Sequence, residues 1–345
     1  MTSNAIQQYV GLDVHKKFIQ GCILDENGKV VLEQKFKSEP HSIDMFLLNV
    51  HKDSKIVLES CSCWQYVYDY LDDAEYKDLH LANPIRVRLI AESRKKTDKV
   101  DAKALANLLR VNLLPESYAA PLSVRYERQI TRHRLSLVRL RAEVKMKIHA
   151  LLLRHGIEYE HSDVFGKAGI KYLYSLDLPM CDRFELDNYA KTIEFLTERV
   201  KDTQERVEEY ATNSPQSRLL MTVPGIDYYS ALMISAEIGD IRRFRTAKKL
   251  ICYAGLNPSI SQSGEKCYMG HIAKEGNNNL RWILGQCANI AVMNDSRLAL
   301  FYQRIKKGKN HNIAITATAR KLLTIIFAML KNNTKYTPLK KCKAS

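Results

Sequence analysis

Apolar and polar positions in the first third of the chain fall into short runs with strand spacing. Residues 9–14, 18–24 and 29–36 predict three strands. The last two are joined by Asp25-Glu26-Asn27-Gly28, and Asn-Gly is a strong hairpin signal. A helical stretch covers 42–50 after Pro40, and 55–59 (Lys-Ile-Val-Leu-Glu) predicts a buried strand. A helix over 64–71 and a weaker strand over 78–82 follow, ending at Asn83-Pro84. Three antiparallel strands and then alternating helices and strands is the order of a ribonuclease-H-like sheet. In that sheet the first strand is central and the fourth lies beside it.

The period changes at Arg125. Ile130, Leu137, Val144 and Leu151 recur every seven residues through 125–154, with Leu140 and Ile148 between them, which is the seam of a coiled coil or bundle. Nine Lys/Arg and two Glu make this helix basic. A second heptad-like helix over 187–212 uses Ile193, Leu196, Val200, Val207 and Tyr210 and is acidic, with seven acids against four bases. Packing alone would account for such a pair. Subunit pairing and nucleic-acid contact would use the same surfaces. Asn213-Ser214-Pro215 marks the next boundary, and helices are predicted over 227–237, 246–254, 278–293 and 312–330. Residues 257–276 read as a Gly/Ser-rich loop, and 331–345 as a basic, frayed tail. The reading is α/β plus α, with domains at 1–124, 125–212 and 213–345.

Charge sharpens this picture. Of 345 residues, 53 are Lys or Arg and 38 Asp or Glu, a net +15, while a hydrophobic fraction of 46% argues for a globular chain. The excess of positive charge suits a polyanionic partner. Eight scattered cysteines show no C-x-x-C, so neither a zinc knuckle nor a disulfide framework is expected. The first residues lack the charged and apolar regions of a secretory signal, and the apolar run 322–330 is too short to span a bilayer. The expectation is a cytoplasmic protein with no membrane partner.

Four carboxylates carry the candidate chemistry. Asp13 and Glu59 end two apolar strand runs, and Asp98 and Asp101 stand three apart in a helical stretch, Thr97-Asp98-Lys99-Val100-Asp101. Ends of adjacent strands and one helical face can converge on one spot. Four acids there repel one another unless divalent cations neutralise them, so Mg²⁺ or Mn²⁺ is expected, as a pair of ions suited to in-line attack on a phosphodiester. An actin-like kinase fold also opens on a strand Asp. It needs a glycine soon afterwards to approach phosphate, and His15-Lys16-Lys17 stand in that place.

Further on, Val223-Pro224-Gly225-Ile226 followed by a helix reads as a helix–hairpin–helix-like element, in which the Gly225 turn would aim backbone N–H groups at a phosphate. A plain packing turn is the competing reading. Arg242, Arg243, Arg245 and Lys248 beside it, and Arg132, Arg134, Arg139 and Arg141 on the basic helix, are candidate DNA-backbone contacts.

With these motifs in order, the chain resembles the insertion-sequence transposases that carry a DEDD quartet, the group described as bridge-RNA-guided recombinases. The resemblance rests on Gly11-Leu12-Asp13-Val14-His15-Lys16, Glu59 and Lys96-Thr97-Asp98-Lys99-Val100-Asp101-Ala102-Lys103 in the first half. In the second half it rests on Val223–Ile226, 237–240, Arg243-Phe244, 253–256, Ser263-Gly264, 272–276 and Arg281. It implies a RuvC-like nuclease domain, a coiled-coil segment and a C-terminal transposase domain. It also implies a quartet (Asp13, Glu59, Asp98, Asp101) that binds Mg²⁺ and a serine nucleophile matching Ser263, with Ser261 a second candidate. Lys266, Lys274 and Arg281 would then offset phosphate charge. The implied partners are double-stranded DNA, a guide RNA and further copies of the chain, as a dimer or tetramer. Two other classes stay open: a RuvC-type junction nuclease, which needs the acids and no serine, and a DNA-binding accessory protein without activity.

Overall fold

Alternation along the first strand explains the N-terminal fold. In β1 (Tyr9–Val14) the side chains of Val10, Leu12 and Val14 enter one apolar core, and Tyr9, Gly11 and Asp13 take the opposite face. The computed structural model describes residues 7–90, 97–159, 163–263, 266–273 and 275–337, and over 260–269 the backbone alone. β1 pairs antiparallel with β2 (Phe18–Leu24), which pairs with β3 (Val30–Lys37) through the expected turn, where Gly28 has φ +82°. Helix α1 (Pro40–Leu47) leads to β4 (Lys55–Glu59), parallel to β1. Then come α2 (Trp64–Asp73), β5 (Leu79–Ala82), α3 (Pro84–Ile90), α4 (Asp98–Arg110) and a short β6 (Glu116–Ser117). The strand order β3-β2-β1-β4-β5-β6 is the mixed ribonuclease-H-like sheet that the element order predicts.

Both faces of this sheet are covered, which is why its central strands read as continuous apolar runs. Ile43 and Phe46 of α1 and Val67 and Leu71 of α2 pack on Val10, Leu12, Ile56 and Leu58. On the other face α4 brings Ala102 and Ala106 onto Cys22 and Leu24, and Leu105 and Leu109 onto Val57 and Ala82. Its crossing of β1 is so close that a Cβ on Gly11 would lie 2.1 Å from the Ala102 carbonyl oxygen.

The chain divides into two units, Met1–Ala119 and Ala120–Ser345. The second holds α5 (Leu122–Arg154), α6 (Lys167–Ser175), α7 (Met180–Asn213), α8 (Pro215–Leu220), α9 (Tyr228–Ile238), α10 (Ala247–Tyr253), β7 (Pro258–Ser263), β8 (Lys266–Ile272), α11 (Asn278–Asn294), α12 (Ser296–Lys306) and α13 (His311–Asn332). Helices α5 and α7 run antiparallel, as the contacts of Arg154 with Asp182 and Glu185 and of Arg141 with Thr197 show. Along α5 the heptad residues divide between two cores, Ile130 packing on one and Val144 and Leu151 on the other. Ile148, Leu151 and Leu152 enter a core with Leu173, Leu186 and Ile193, while Leu135 joins the large core of α8–α13, and Leu140 stays about half exposed. One long helix therefore serves two cores. Residues 257–276, expected as a loop, contain the antiparallel β7–β8 ribbon, with Ser263 opposite Lys266. Helix α13 is long and apolar enough to cross a bilayer by length and composition, and its Ala314, Ala319, Leu322, Leu323 and Ile326 lie in the large core.

Candidate active site

The acidic site is built by the sheet register and one helix start. Asp13, Gln20 and Lys35 are cross-strand partners along one row of β1, β2 and β3. Leu12 pairs with Leu58, so Glu59 is the next residue beside Asp13, on the face that Val57 shares with α4. Helix α4 runs back along β1 from Ala106 over Gly11, and its first turn, with Asp98 and Asp101, reaches the Asp13 end. Thr97 caps it by accepting from the Val100 N–H, and acids in a first turn are favoured by the helix dipole.

These elements place ligand atoms of Asp13, His15 and Asp98 within 4.8 Å of one another, a grouping that could hold a metal ion. His15 Nε2 stands 3.1 Å from Asp13 Oδ2 and 3.6 Å from Asp98 Oδ1, and Lys35 Nζ is 3.4 Å from Asp98 Oδ2. Asp13 is 7% exposed. Burial pushes its carboxyl above the usual range, His15 pulls it back, and the charges of Asp101 and Asp98 push it up again. Asp13 thus senses the charges of Asp98 and Asp101, and Glu59 lies on its face at the adjacent strand end. Sequence reasoning passed over His15 and Lys35. Two signals could have found His15: it is two residues beyond Asp13, and side chains alternate along a strand.

The basic candidates have several different surroundings. Arg132, a candidate DNA-backbone contact, has a partner within the fold: its Nε and Nη2 donate to the two carboxylate oxygens of Glu237, both at 2.7 Å. Arg243 is turned inward as well, over the rings of Phe244 and Tyr253 at 4.1 and 4.5 Å with its Nε donating to the Ile238 carbonyl. Arg281 holds the Ala254 carbonyl and Asn278, and Arg134 lies 4.2 Å over the Tyr229 ring. Arg141 donates to Thr197, and Arg242 pairs with its neighbour Asp240. Arg139, Arg245 and Lys248 are exposed.

Gly225 sits in a tightly packed turn. With φ +91°, a Cβ there would meet the Ala291 nitrogen at 2.9 Å and the Cys287 carbonyl at 3.1 Å, so the turn is seated on α11. The N-terminus of α9 already has its anion, because Asp227 caps it and accepts from Ser230 N–H at 2.8 Å. Packing by itself accounts for a glycine at this position. Ser263 closes β7, and Lys266 opens β8, by backbone alone. Lys96, Gly264 and Lys274 lie outside the described residues, as does the tail beyond 337.

A ribonuclease-H-like sheet with acids gathered at the end of its central strand is the frame of the DEDD class of DNA transposases. A DEDD transposase model named for IS110 matches residues 10–157, and the model described as "Transposase IS116/IS110/IS902 family" matches 217–303. The chain belongs to the IS116/IS110/IS902 transposase family, enzymes of DNA transposition and recombination. It is 23% identical to the transposase for insertion sequence element IS1328 of Yersinia enterocolitica over 95% of this chain and 98% of that one. Identity is 25% with the transposase for IS1111A of Coxiella burnetii, covering 95% and 90%. A pilin gene-inverting protein of Moraxella bovis is 24% identical over 94% and 96%.

Proposed function

We propose that this transposase excises and inserts its own insertion sequence, using a divalent-metal site at Asp13, Glu59, Asp98 and Asp101 and Ser263 as nucleophile, guided by an RNA from the element. The observation that carries the proposal is the convergence of Asp13 and Asp98, with Asp101 close enough to raise the Asp13 carboxyl. Buried or half-buried acids held this close are a costly arrangement without a cation. Hard carboxylate oxygens suit Mg²⁺, and the His15 imidazole is also compatible with Mn²⁺. A metal pair there would stabilise charge on the reacting phosphate and favour deprotonation of an attacking hydroxyl.

The protein's own residues would do the rest. Asp13 and Glu59 fix the site to the sheet, and Asp98 and Asp101 close it from α4. Ser263 Oγ would bond to phosphorus while a deoxyribose oxygen leaves and takes up a proton, which conserves the phosphoester for rejoining. The name of the Moraxella relative, a gene-inverting protein, supports rejoining rather than simple cutting. Exposed Arg139, Arg245 and Lys248 would hold DNA or RNA phosphates together with Lys266 and Lys274, and copies of the chain would assemble as a dimer or tetramer on the DNA.

The test is cleavage of element-end DNA by the full chain with its flanking RNA. Mg²⁺-dependent cleavage that EDTA and Asp13→Asn both abolish, with DNA binding kept, is the expected result. Cleavage surviving either change would refute the metal site.

A further inference from the structure

Glu237 is a fully buried acid, at 0% exposure, and it lies far from the acidic cluster in sequence. Its Oε1 accepts from Arg132 Nε at 2.7 Å and Asn279 Nδ2 at 3.3 Å; its Oε2 accepts from Arg132 Nη2 and Asn277 Nδ2, both at 2.7 Å. Burial would raise its carboxyl, but the hydrogen bonds of Arg132 and Asn277 and the charges of Arg132 and Arg128 outweigh it and hold the group below the usual range. The Glu237 backbone carbonyl accepts from Tyr253 Oη at 3.1 Å and Arg128 Nη2 at 3.3 Å.

A buried ion pair is a poor device for stability alone, since a hydrophobic replacement is often as good. What this one does is geometric. Tyr253 ends α10 just ahead of β7, and Asn277 stands just past β8 as the cap of α11. Both stems of the ribbon therefore meet at Glu237. They are also closed on each other: Asn277 N–H donates to the Tyr253 carbonyl at 2.8 Å, Ala273 N–H to the Asn257 carbonyl at 2.8 Å, and Asn277 Nδ2 to Tyr253 Oη at 3.3 Å. Gly276, at φ +134°, makes this approach feasible, because a Cβ there would lie 2.4 Å from the Tyr253 carbonyl oxygen.

We infer that Glu237 is a positioning residue for strand transfer: its carboxylate locks the base of the β7–β8 ribbon to α5 and α9 and so fixes where the far end of β7 presents its serine. This rests on the reading that the ribbon carries the nucleophile. Catalytic steps are sensitive to such placement, a misplacement of about 1 Å costing on the order of 100-fold in rate.

Two variants of the full chain test it. Glu237→Gln removes the charge at constant shape. Asn277→Ser keeps a side-chain cap for α11 and removes the donor to Glu237. Amide hydrogen exchange in the protein alone should accelerate across 258–272 in both, with α13 unchanged. Single-turnover adduct formation at saturating DNA should slow by about 10- to 100-fold while the half-saturating DNA concentration stays constant. A purely structural role would lower the fraction of active protein and leave the rate constant unchanged, which would overturn the proposal, as would unchanged exchange in the ribbon. Mapping the wild-type adduct separates the two claims. An adduct on Ser261 would remove the Ser263 assignment and leave the Glu237 proposal standing, whereas an adduct outside the ribbon would end both.

Discussion

Replacing Gly11 with alanine would drive a methyl group into the backbone of α4. The added Cβ would lie 2.1 Å from the Ala102 carbonyl oxygen, 2.7 Å from the Ala106 nitrogen and 3.1 Å from the Ala106 Cβ, where ordinary contact begins near 3.4 Å. Neither of the two closest atoms belongs to a side chain that can swing away, so helix and strand must separate by more than about 1 Å in a close-packed layer. Overpacking of this kind costs about 1–3 kcal/mol, and each kcal/mol lowers Tm by roughly 4 °C or more in a unit of this size. The same displacement carries Asp98 and Asp101, which stand in the first turn of that helix, away from Asp13. Calorimetric unfolding of the full chain, paired with a Mn²⁺ titration, reads both effects. A lower Tm for the N-terminal unit together with weaker metal binding is expected. Wild-type Tm and wild-type affinity in Gly11→Ala would show that α4 neither rests on β1 as described nor sets the site.

Three further outcomes follow from the geometry. Because the Asp13 carboxyl is raised in the folded state, its ionisation disfavours folding once pH exceeds the unfolded carboxylate value, and the penalty is complete above the folded one. Asp13→Asn should therefore raise the melting temperature of metal-free protein at pH 7 and match wild type near pH 3; a lower Tm at pH 7 would contradict this. Arg132→Gln strands the buried Glu237 carboxylate and should destabilise by about 3 kcal/mol, the low end for a broken buried pair because Arg132 itself is half exposed. Chemical denaturation measures it, and the salt dependence of DNA binding should not change. Neutralising Arg139, Arg245 and Lys248 together should instead flatten the salt slope by up to about 0.9 for each phosphate that these side chains neutralise, and an unchanged slope would mark them as solvent-facing charge.

Much of the N-terminal unit is legible in the sequence because each device there is local. Asn27-Gly28 sets the hairpin, the apolar runs set β1, β2 and β4, and the strand order brings Asp13 beside Glu59. The i, i+3 spacing of Asp98 and Asp101 needed only a helix, and α4 supplies it. The second half is less legible for equally physical reasons. The ribbon strand Pro258–Ser263 has no apolar face, only Ile260 among serines and Gln262, so no period-two signal marks it. Arg132 reads as a phosphate ligand on a basic helix, and the carboxylate it holds in the fold stands 105 residues away. Gly225 fits a phosphate-binding turn as well as a close-packed one, and its packing against Cys287 and Ala291 of α11, more than 60 residues on, leaves no local signal.

The central claim is that strand transfer runs through a serine ester of DNA, and mapping that bond tests it most directly. Full-length protein is reacted with element-end DNA in Mg²⁺, quenched in denaturant, digested with protease and nuclease, and the peptides are sequenced by mass spectrometry. The account predicts a nucleotide remnant on the peptide at Ser263, absent from Ser263→Ala, from Asp13→Asn and from reactions in EDTA. Cleaved DNA with no protein attached, the behaviour of a junction nuclease, would contradict it.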